Sequence, residues 1–292
     1  MADTLCLIDS HAQVYRAYYA HPDLTSPDGR PTGAVFGYVA MLDSLLAKLK
    51  PERLAAVFDP PGKTFRHERY PEYKAQRKPT PPELHEQVPL IQEILRARNI
   101  PVLLREGFEA DDVIGSLVRR AREAGLEAVI ATGDKDFGQL LAPGVRMFTF
   151  DRKSGDGWKF VDAAAFEEAW GARPEQVPDL FGLAGDASDN IPGIPGVGEK
   201  TAADWLRRYG TLDKLLEYAH EIKGKRGEDL RKHKADALLS RELATIRTDV
   251  PLDFNLDDTI VRPPDIDRLR QIYIQCGFRR FLHQLGEEID EW

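Results

Sequence analysis

Nine acidic residues carry most of the chemical promise of this 292-residue chain: Asp9, Asp59, Glu109, Asp111, Asp112, Asp134, Asp136, Asp186 and Asp189. They are clustered. The stretch "GFEADDVIGSLVRR" (107–120) places three of them where a helix should begin. A helix N-terminus favours one negative charge, but three so close repel one another. Crowded carboxylates either keep protons or gather cations. Ligands that are all oxygen, with no Cys or His beside them, suit a hard cation such as Mg²⁺, Mn²⁺ or Ca²⁺. Two such ions about 4 Å apart form the known clamp for hydrolysis of a phosphodiester. Each aspartate taken singly reads as an ordinary turn or N-cap residue, and "GDKD" alone makes an ordinary turn. The weight lies in the joint pattern. The nine outnumber the net charge of −8, so without them the chain would be slightly basic.

Several of these acids close short aliphatic runs. "LCLID" ends at Asp9, "LAAVFD" at Asp59 and "EAVIATGD" at Asp134, as buried parallel strands read. Between them run helical patterns. Over 33–49, Val35, Phe36, Val39, Leu42, Leu45, Leu46 and Leu49 recur at three- and four-residue steps, which makes one helix face. Residues 84–95 and 112–121 repeat the pattern. Strands alternating with helices predict an α/β fold with a mostly parallel sheet covered on both faces. Ligands of such sheets bind beyond the carboxyl ends of the strands, where Asp9, Asp59 and Asp134 would lie. After about residue 170 the strand-like runs stop. A Gly-rich hairpin followed by a helix is expected over 191–210, helical patterns over 211–219, 235–246 and 266–284, and an irregular, proline-rich stretch at 250–265.

Two basic stretches oppose the acids. Residues 62–78, "GKTFRHERYPEYKAQRK", hold six Lys or Arg against two Glu, and "KGKRGEDLRKHK" (223–234) holds six against two acids. In the first, Arg66, Arg69, Lys74, Arg77 and Lys78 interleave with Phe65, Tyr70 and Tyr73. Cations for phosphates and rings for bases suit single-stranded nucleic acid, although a solvated charged helix reads the same way. In "GIPGVGEKTA" (193–202), Gly196 and Gly198 allow close backbone approach and Lys200 and Thr201 open a helix. That is the composition of a helix-hairpin-helix, which meets phosphate through backbone N–H groups. Tyr15 could stack on a terminal base or belong to the core. His11, His67 and His85 have no metal-ligand spacing, and the tryptophans at 158, 170, 205 and 292 read as packing or surface residues.

The totals exclude other classes. With 42% hydrophobic residues the chain can bury a substantial core, as one large domain or two smaller ones. No apolar run approaches the roughly 20 residues of a membrane helix. "MADTLCLIDS" lacks the basic start of a signal peptide. Cys6 and Cys276 have no CxxC partner, so a reducing cytoplasm is the expected setting, without disulfide or zinc.

Taken together, "LIDSHAQVYRAYYA", "VFDPPGKTFRHERYPEYKAQR", "GFEADDVIGSL", "TGDKDFGQLL", "LAGDASDNIPGIPGVGEKTAADWL" and "CGFRRFLHQLG" resemble the 5′ nuclease, flap endonuclease-like superfamily. The likeness is to the N-terminal 5′→3′ exonuclease domain of bacterial DNA polymerase I. It implies a PIN-like nuclease core over 1–172, with a helical arch at about 62–88. A helical DNA-binding region over 173–292 would follow, with its helix-hairpin-helix at about 186–210. It implies hydrolysis at 5′ flaps, nicks and 5′ ends of DNA in replication and repair, by a monomer that works beside a polymerase domain in cis or in trans. Two Mg²⁺ or Mn²⁺ are implied, one mainly on Asp9, Asp59, Glu109, Asp111 and Asp112, the other mainly on Asp134, Asp136, Asp186 and Asp189. Lys74 and Arg77 match the basic pair of the arch that approaches the scissile phosphate; with Asp111 and Asp134 they are the expected catalytic residues. Tyr15, Arg66, Lys74, Arg77, Gly196, Gly198, Lys200 and Thr201 would touch DNA. Carbonyls at Gly193, Ile194 and Val197 would hold K⁺. The chain departs from the family at "IDS", where Asp-Gly is usual, and at Gly133, where Ser is common; neither removes a ligand. A DNA-structure sensor without catalysis is the alternative from another class, and a Mg²⁺ phosphatase for small phosphomonoesters is a third.

Overall fold

The aliphatic runs pair into one sheet, as their burial on both sides requires. β1 (Thr4–Asp9), β2 (Arg53–Val57), β3 (Val102–Leu103), β4 (Glu127–Ala131), β5 (Val145–Phe150) and β6 (Trp158–Val161) stand in the order β3-β2-β1-β4-β5-β6. All neighbours are parallel except β5 and β6. The computed structural model describes residues 3–151 and 157–286, so Trp292 lies outside the described residues.

Side-chain alternation divides the core in two. Leu5, Leu7, Ala55, Val57, Ala128 and Ile130 point to one face. Cys6, Ile8, Leu54, Ala56, Val129 and Ala131 point to the other. The second face is covered by α1 (Ser10–Ala20), α2 (Gly33–Leu49) and α4 (Pro82–Ala97). α3 (Phe65–Arg69) precedes α4, and residues 71–76 between them form turns, so the stretch 62–88 holds a short helix, a turn run and the first part of α4. Pro71 and the prolines at 79, 81 and 82 explain the break.

The first face carries α5 (Ala110–Glu123) and then α6 (Ala163–Trp170), α7 (Val177–Ala184), α8 (Glu199–Tyr209), α9 (Leu212–Glu217), α10 (Gly224–Lys232) and α11 (Lys234–Ala244). The chain then crosses back. α12 (Ile266–Cys276) and α13 (Arg279–Gln284) pack against the α2 and α4 side. The expected helix over 266–284 is thus two helices, parted at Gly277, whose φ of 70° is left-handed. Both cores draw on residues from either side of position 172.

Candidate active site

Strand order reverses between β1 and β4, and the crevice beyond their carboxyl ends is where an α/β sheet binds ligands. Asp9 is the last residue of β1, and Asp134 follows β4 by three residues. Asp59 follows β2, and its Oδ1 accepts from the Ala110 N–H (2.7 Å), which docks the start of α5 on the sheet edge. Glu109 caps α5, and Asp111 lies in its first turn. The loop after α7 brings in Asp189 from across the first face. Asp9, Asp59, Glu109, Asp111, Asp134 and Asp189 line one cavity of about 370 Å³, beside His11, Tyr15, Lys74, Arg77 and Lys78.

The arch closes this cavity. Lys74 adopts a left-handed φ of 55°, and its N–H donates to the Asp189 carbonyl (2.9 Å). Its ammonium donates to Glu109 Oε2 (2.9 Å) and lies 3.6 Å from Asp189 Oδ2. Arg77 donates to Asp189 Oδ1 (2.5 Å) and to the Ser188 carbonyl (3.1 Å). Gln76 donates to the Ala187 carbonyl, and Asn190 donates back to that of Glu72. Lys74 and Arg77 therefore sit at the acidic site, where the family likeness expects them.

The carboxylates fall into two electrostatic groups. Burial, with Asp134 and Asp59 alongside, pushes Asp9 up to about 7. Burial, with Asp134 beside it, pushes Asp136 up to about 8. Asp111 and Asp134 are raised too, first by burial and then by carboxylate neighbours. Asp186 and Asp189 go the other way. Burial opposes the shift, but Lys135 and Ser188 hold Asp186 below the usual carboxylate range, and Lys74 and Arg77 do the same for Asp189.

Three expectations need correction. Asp112 does not face the cavity: its side chain is fully buried and is taken up by Arg66 and two backbone N–H groups. Arg66 is equally sealed, so it offers no charge to DNA at the surface. Tyr73 is buried, with its hydroxyl 3.0 Å from Glu109 and 2.9 Å from Asp189, so its ring is not free for bases. The physical reason is shared. The amphipathic run 65–73 turns its inner side to α5 and spends those groups on fixing the acids.

Asp136 and Asp186 stand just outside the cavity lining, joined by Lys135, which donates to Asp186 (2.6 Å) and lies 3.9 Å from Asp136 and from Glu199. Sequence reading missed Lys135, although it sits inside "GDKD". It also missed Thr132, which donates to Asp9 (2.8 Å) and accepts from the Asp134 N–H (3.0 Å). His11, expected to be a bystander, lies 3.7 Å from Asp59. Tyr15 lines the cavity, with its hydroxyl 2.5 Å from Thr80 Oγ1.

The donor set fits hard divalent cations. It is oxygen-only, several members are pushed above the usual carboxylate range by burial and then by one another, and Asp136 Oδ1 is buried without a hydrogen-bond partner. Among the described residues, however, no three acidic, His or Cys side chains are gathered closely enough to hold an ion. Lys74, Arg77 and Lys135 stand between them. The repulsion is thus offset in part by the chain's own cations, a role the sequence reading gave to metal alone.

The hairpin lies next to this site. Gly193 has a φ of 59°, and a Cβ there would meet Gly185 N at 2.2 Å, so two backbone strands touch. Gly196 and Gly198 are exposed, Gly198 is the residue before α8, and Lys200 and Thr201 occupy its first turn. Gly193, Ile194 and Val197 share the turn, with the Val197 N–H donating to the Ile194 carbonyl (3.1 Å).

Two family models cover the chain: a 5′-3′ exonuclease N-terminal resolvase-like domain over residues 4–171, and a 5′-3′ exonuclease C-terminal SAM fold over 172–267. The chain belongs to the 5′-3′ exonuclease family. All of it aligns at 43% identity with 33% of the DNA polymerase I of Bacillus caldotenax. The Bacillus subtilis DNA polymerase I is 40% identical over 98% of the chain, again across 33% of its own length. The chain thus spans about a third of these relatives. Among solved structures, the D15 protein of bacteriophage T5 co-crystallised with metal ions shares the fold at a TM-score of 0.70 and 19% identity, covering 97% of this chain and all of the other. The catalytic core of Rad2 in complex with DNA substrate does so at 0.64 and 18%, covering 97% and 92%. Among the described residues of this exonuclease-family chain, no helix is long and apolar enough to cross a membrane.

Proposed function

We propose that the chain is a structure-specific 5′ nuclease that hydrolyses phosphodiester bonds at 5′ flaps, nicks and 5′ ends of DNA. The observation that carries this is the cavity itself: six carboxylates from five chain segments beside three arch cations, Lys74, Arg77 and Lys78. Duplex DNA lies along 191–234, where the exposed glycine turn, Lys200, Thr201 and the basic α10 offer backbone N–H groups and charge to phosphates. The 5′ strand passes the arch. Lys74 and Arg77 leave Glu109 and Asp189 for the phosphate and stabilise the charge that develops there. Tyr15, at the arch side of the cavity, is placed to stack on the terminal base.

The acids suit two Mg²⁺ or Mn²⁺, which would be held mainly by Asp9, Asp59, Glu109 and Asp111 on one side and mainly by Asp134, Asp136, Asp186 and Asp189 on the other. Such ions would supply activated water and Lewis-acid stabilisation of the phosphate. Asp111 and Asp134, between the two groups, orient what binds there. K⁺ at the Gly193, Ile194 and Val197 carbonyls would brace the hairpin. The nuclease works as a monomer in a reducing cytoplasm, which suits its buried free thiols, with polymerase activity supplied in cis or in trans. Residues 1–172 hold the nuclease core and 173–292 most of the DNA-binding surface.

A fluorescent 5′-flap oligonucleotide incubated with Mg²⁺, and again with EDTA, tests this. Short products that appear with Mg²⁺ and vanish with EDTA are expected. Salt-sensitive binding without product would instead identify a DNA-structure sensor, and hydrolysis of small phosphomonoesters alone would identify a phosphatase.

A further inference from the structure

The side chains of Arg66 and Asp112 are 3% and 0% exposed, and they form a two-pronged ion pair at 2.7 and 2.9 Å. Each end also holds a second part of the molecule. Arg66 Nε donates to the Leu243 carbonyl (2.8 Å) and Nη2 to that of Thr245 (3.0 Å), both at the end of α11. Asp112 accepts from the Arg247 N–H (2.8 Å) and from the Glu109 N–H (3.1 Å). A carboxylate offers about four acceptor directions, and all four are filled. Nearby, a Cβ on Gly115 would meet Ile246 at 2.6 Å, so α5 lies hard against this segment.

We infer that Arg66 and Asp112 form a positioning clasp for the metal-binding carboxylates, an inference that rests on the proposed nuclease function. The pair joins the arch stem (α3), the start of α5 that carries Glu109 and Asp111, and the strap 243–247 that follows the DNA-binding helices. Asp112 orients its neighbours through the helix N-terminus and does not itself coordinate an ion. Arg66 holds that carboxylate and touches no DNA. Partners of metal ligands typically affect metal affinity 10- to 100-fold.

The test compares wild type, Arg66→Met, Asp112→Asn and the double variant. Mn²⁺ affinity is measured without DNA by electron paramagnetic resonance, and affinity for the flap oligonucleotide across a salt series. Breaking one side of a buried pair leaves a charge uncompensated, whereas neutralising both is well tolerated. The double variant therefore carries the test if a single one fails to fold. Expected are Mn²⁺ binding roughly 10- to 100-fold weaker in every folded variant, no further loss in the double, and an unchanged salt dependence of DNA binding. Wild-type Mn²⁺ affinity in the double variant would reduce the pair to a structural contact and overturn the inference. Tighter Mn²⁺ binding by Arg66→Met, with loss only in Asp112→Asn, would make Asp112 a ligand and overturn it too. A salt slope lowered by about 0.9 in Arg66→Met would make Arg66 a phosphate contact. Failure of the wild type to cleave a flap sinks the nuclease function; normal cleavage by an unimpaired double variant sinks only the clasp.

Discussion

Asp9, Asp111, Asp134 and Asp136 meet burial mainly with one another, whereas Asp186 and Asp189 meet it with Lys135, Lys74 and Arg77. The first group lies at the end of β1, just after β4 and on the first turns of the helical segments beside them. The second hangs on the loop after α7 and is pulled in by the arch and by Lys135. One group stores repulsion that a divalent cation would relieve; the other is already ion-paired, so a cation must displace something to bind. On the proposed function, engagement of a phosphate would be tied to release of the arch, because Lys74 and Arg77 cannot serve Asp189 and a phosphate together.

The first group should show the larger effect. Asp134→Asn removes a carboxylate from the first group and should lower flap cleavage by roughly 10³-fold. Less repulsion should leave DNA binding intact or tighter. Cleavage assays and gel retention at one salt concentration check this, and wild-type turnover in the variant would remove Asp134 from the chemistry. Next comes the arch. Lys74→Ala should cost about 10²-fold in kcat, with a smaller change in KM, if the ammonium acts on developing charge. An equal loss in KM alone would make Lys74 a binding residue only.

Much of this was legible because it follows from local pattern. β1, β2 and β4 are continuous aliphatic runs, and an acid that closes such a run must lie at the carboxyl edge of the sheet. α2 matched its periodicity from Gly33 to Leu49. What stayed hidden is pairing across the chain. Nothing in "FRHER" says that Arg66 turns inward to an aspartate 46 positions on, and its neighbour Arg69 does stay at the surface. Lys135 reads as a turn residue until α7 brings Asp186 against it. β3, at two residues, and the β5–β6 pair are too short or too mixed to announce themselves. The long-range basic partners thus decide which acids can still hold an ion, and sequence spacing does not carry that information.

Lys135 offers a test of the second group that does not depend on activity. Its ammonium lies over the Phe181 ring at 4.0 Å and bonds Asp186 at 2.6 Å. Lys135→Met keeps the apolar stem and removes the charge. Without divalent ions the variant should lose roughly 1–3 kcal/mol of stability, because Asp186 is left partly buried and less well paired. Added Mn²⁺ should restore most of the loss by binding the native state. Thermal melts with and without Mn²⁺ read both effects. A variant as stable as wild type in EDTA would show that Lys135 does not neutralise this group.

The smallest effect belongs outside both groups. Lys200 is exposed in the first turn of α8, where the helix N-terminus and the glycine turn face solvent together. If it meets one phosphate, Lys200→Ala should reduce the slope of log affinity against log salt by about 0.9 for duplex DNA. The melting temperature and the Mn²⁺ affinity should stay where they were, since among the described residues the cations paired with the site carboxylates are others, Lys74, Arg77 and Lys135 among them. A slope that does not change would move the duplex off the hairpin and leave the basic α10, with Arg226 and Lys225, as its principal track. A slope that falls together with Mn²⁺ affinity would instead mean that Lys200 acts through Glu199, which approaches Lys135 at 3.9 Å, and that the hairpin and the second carboxylate group respond as one unit.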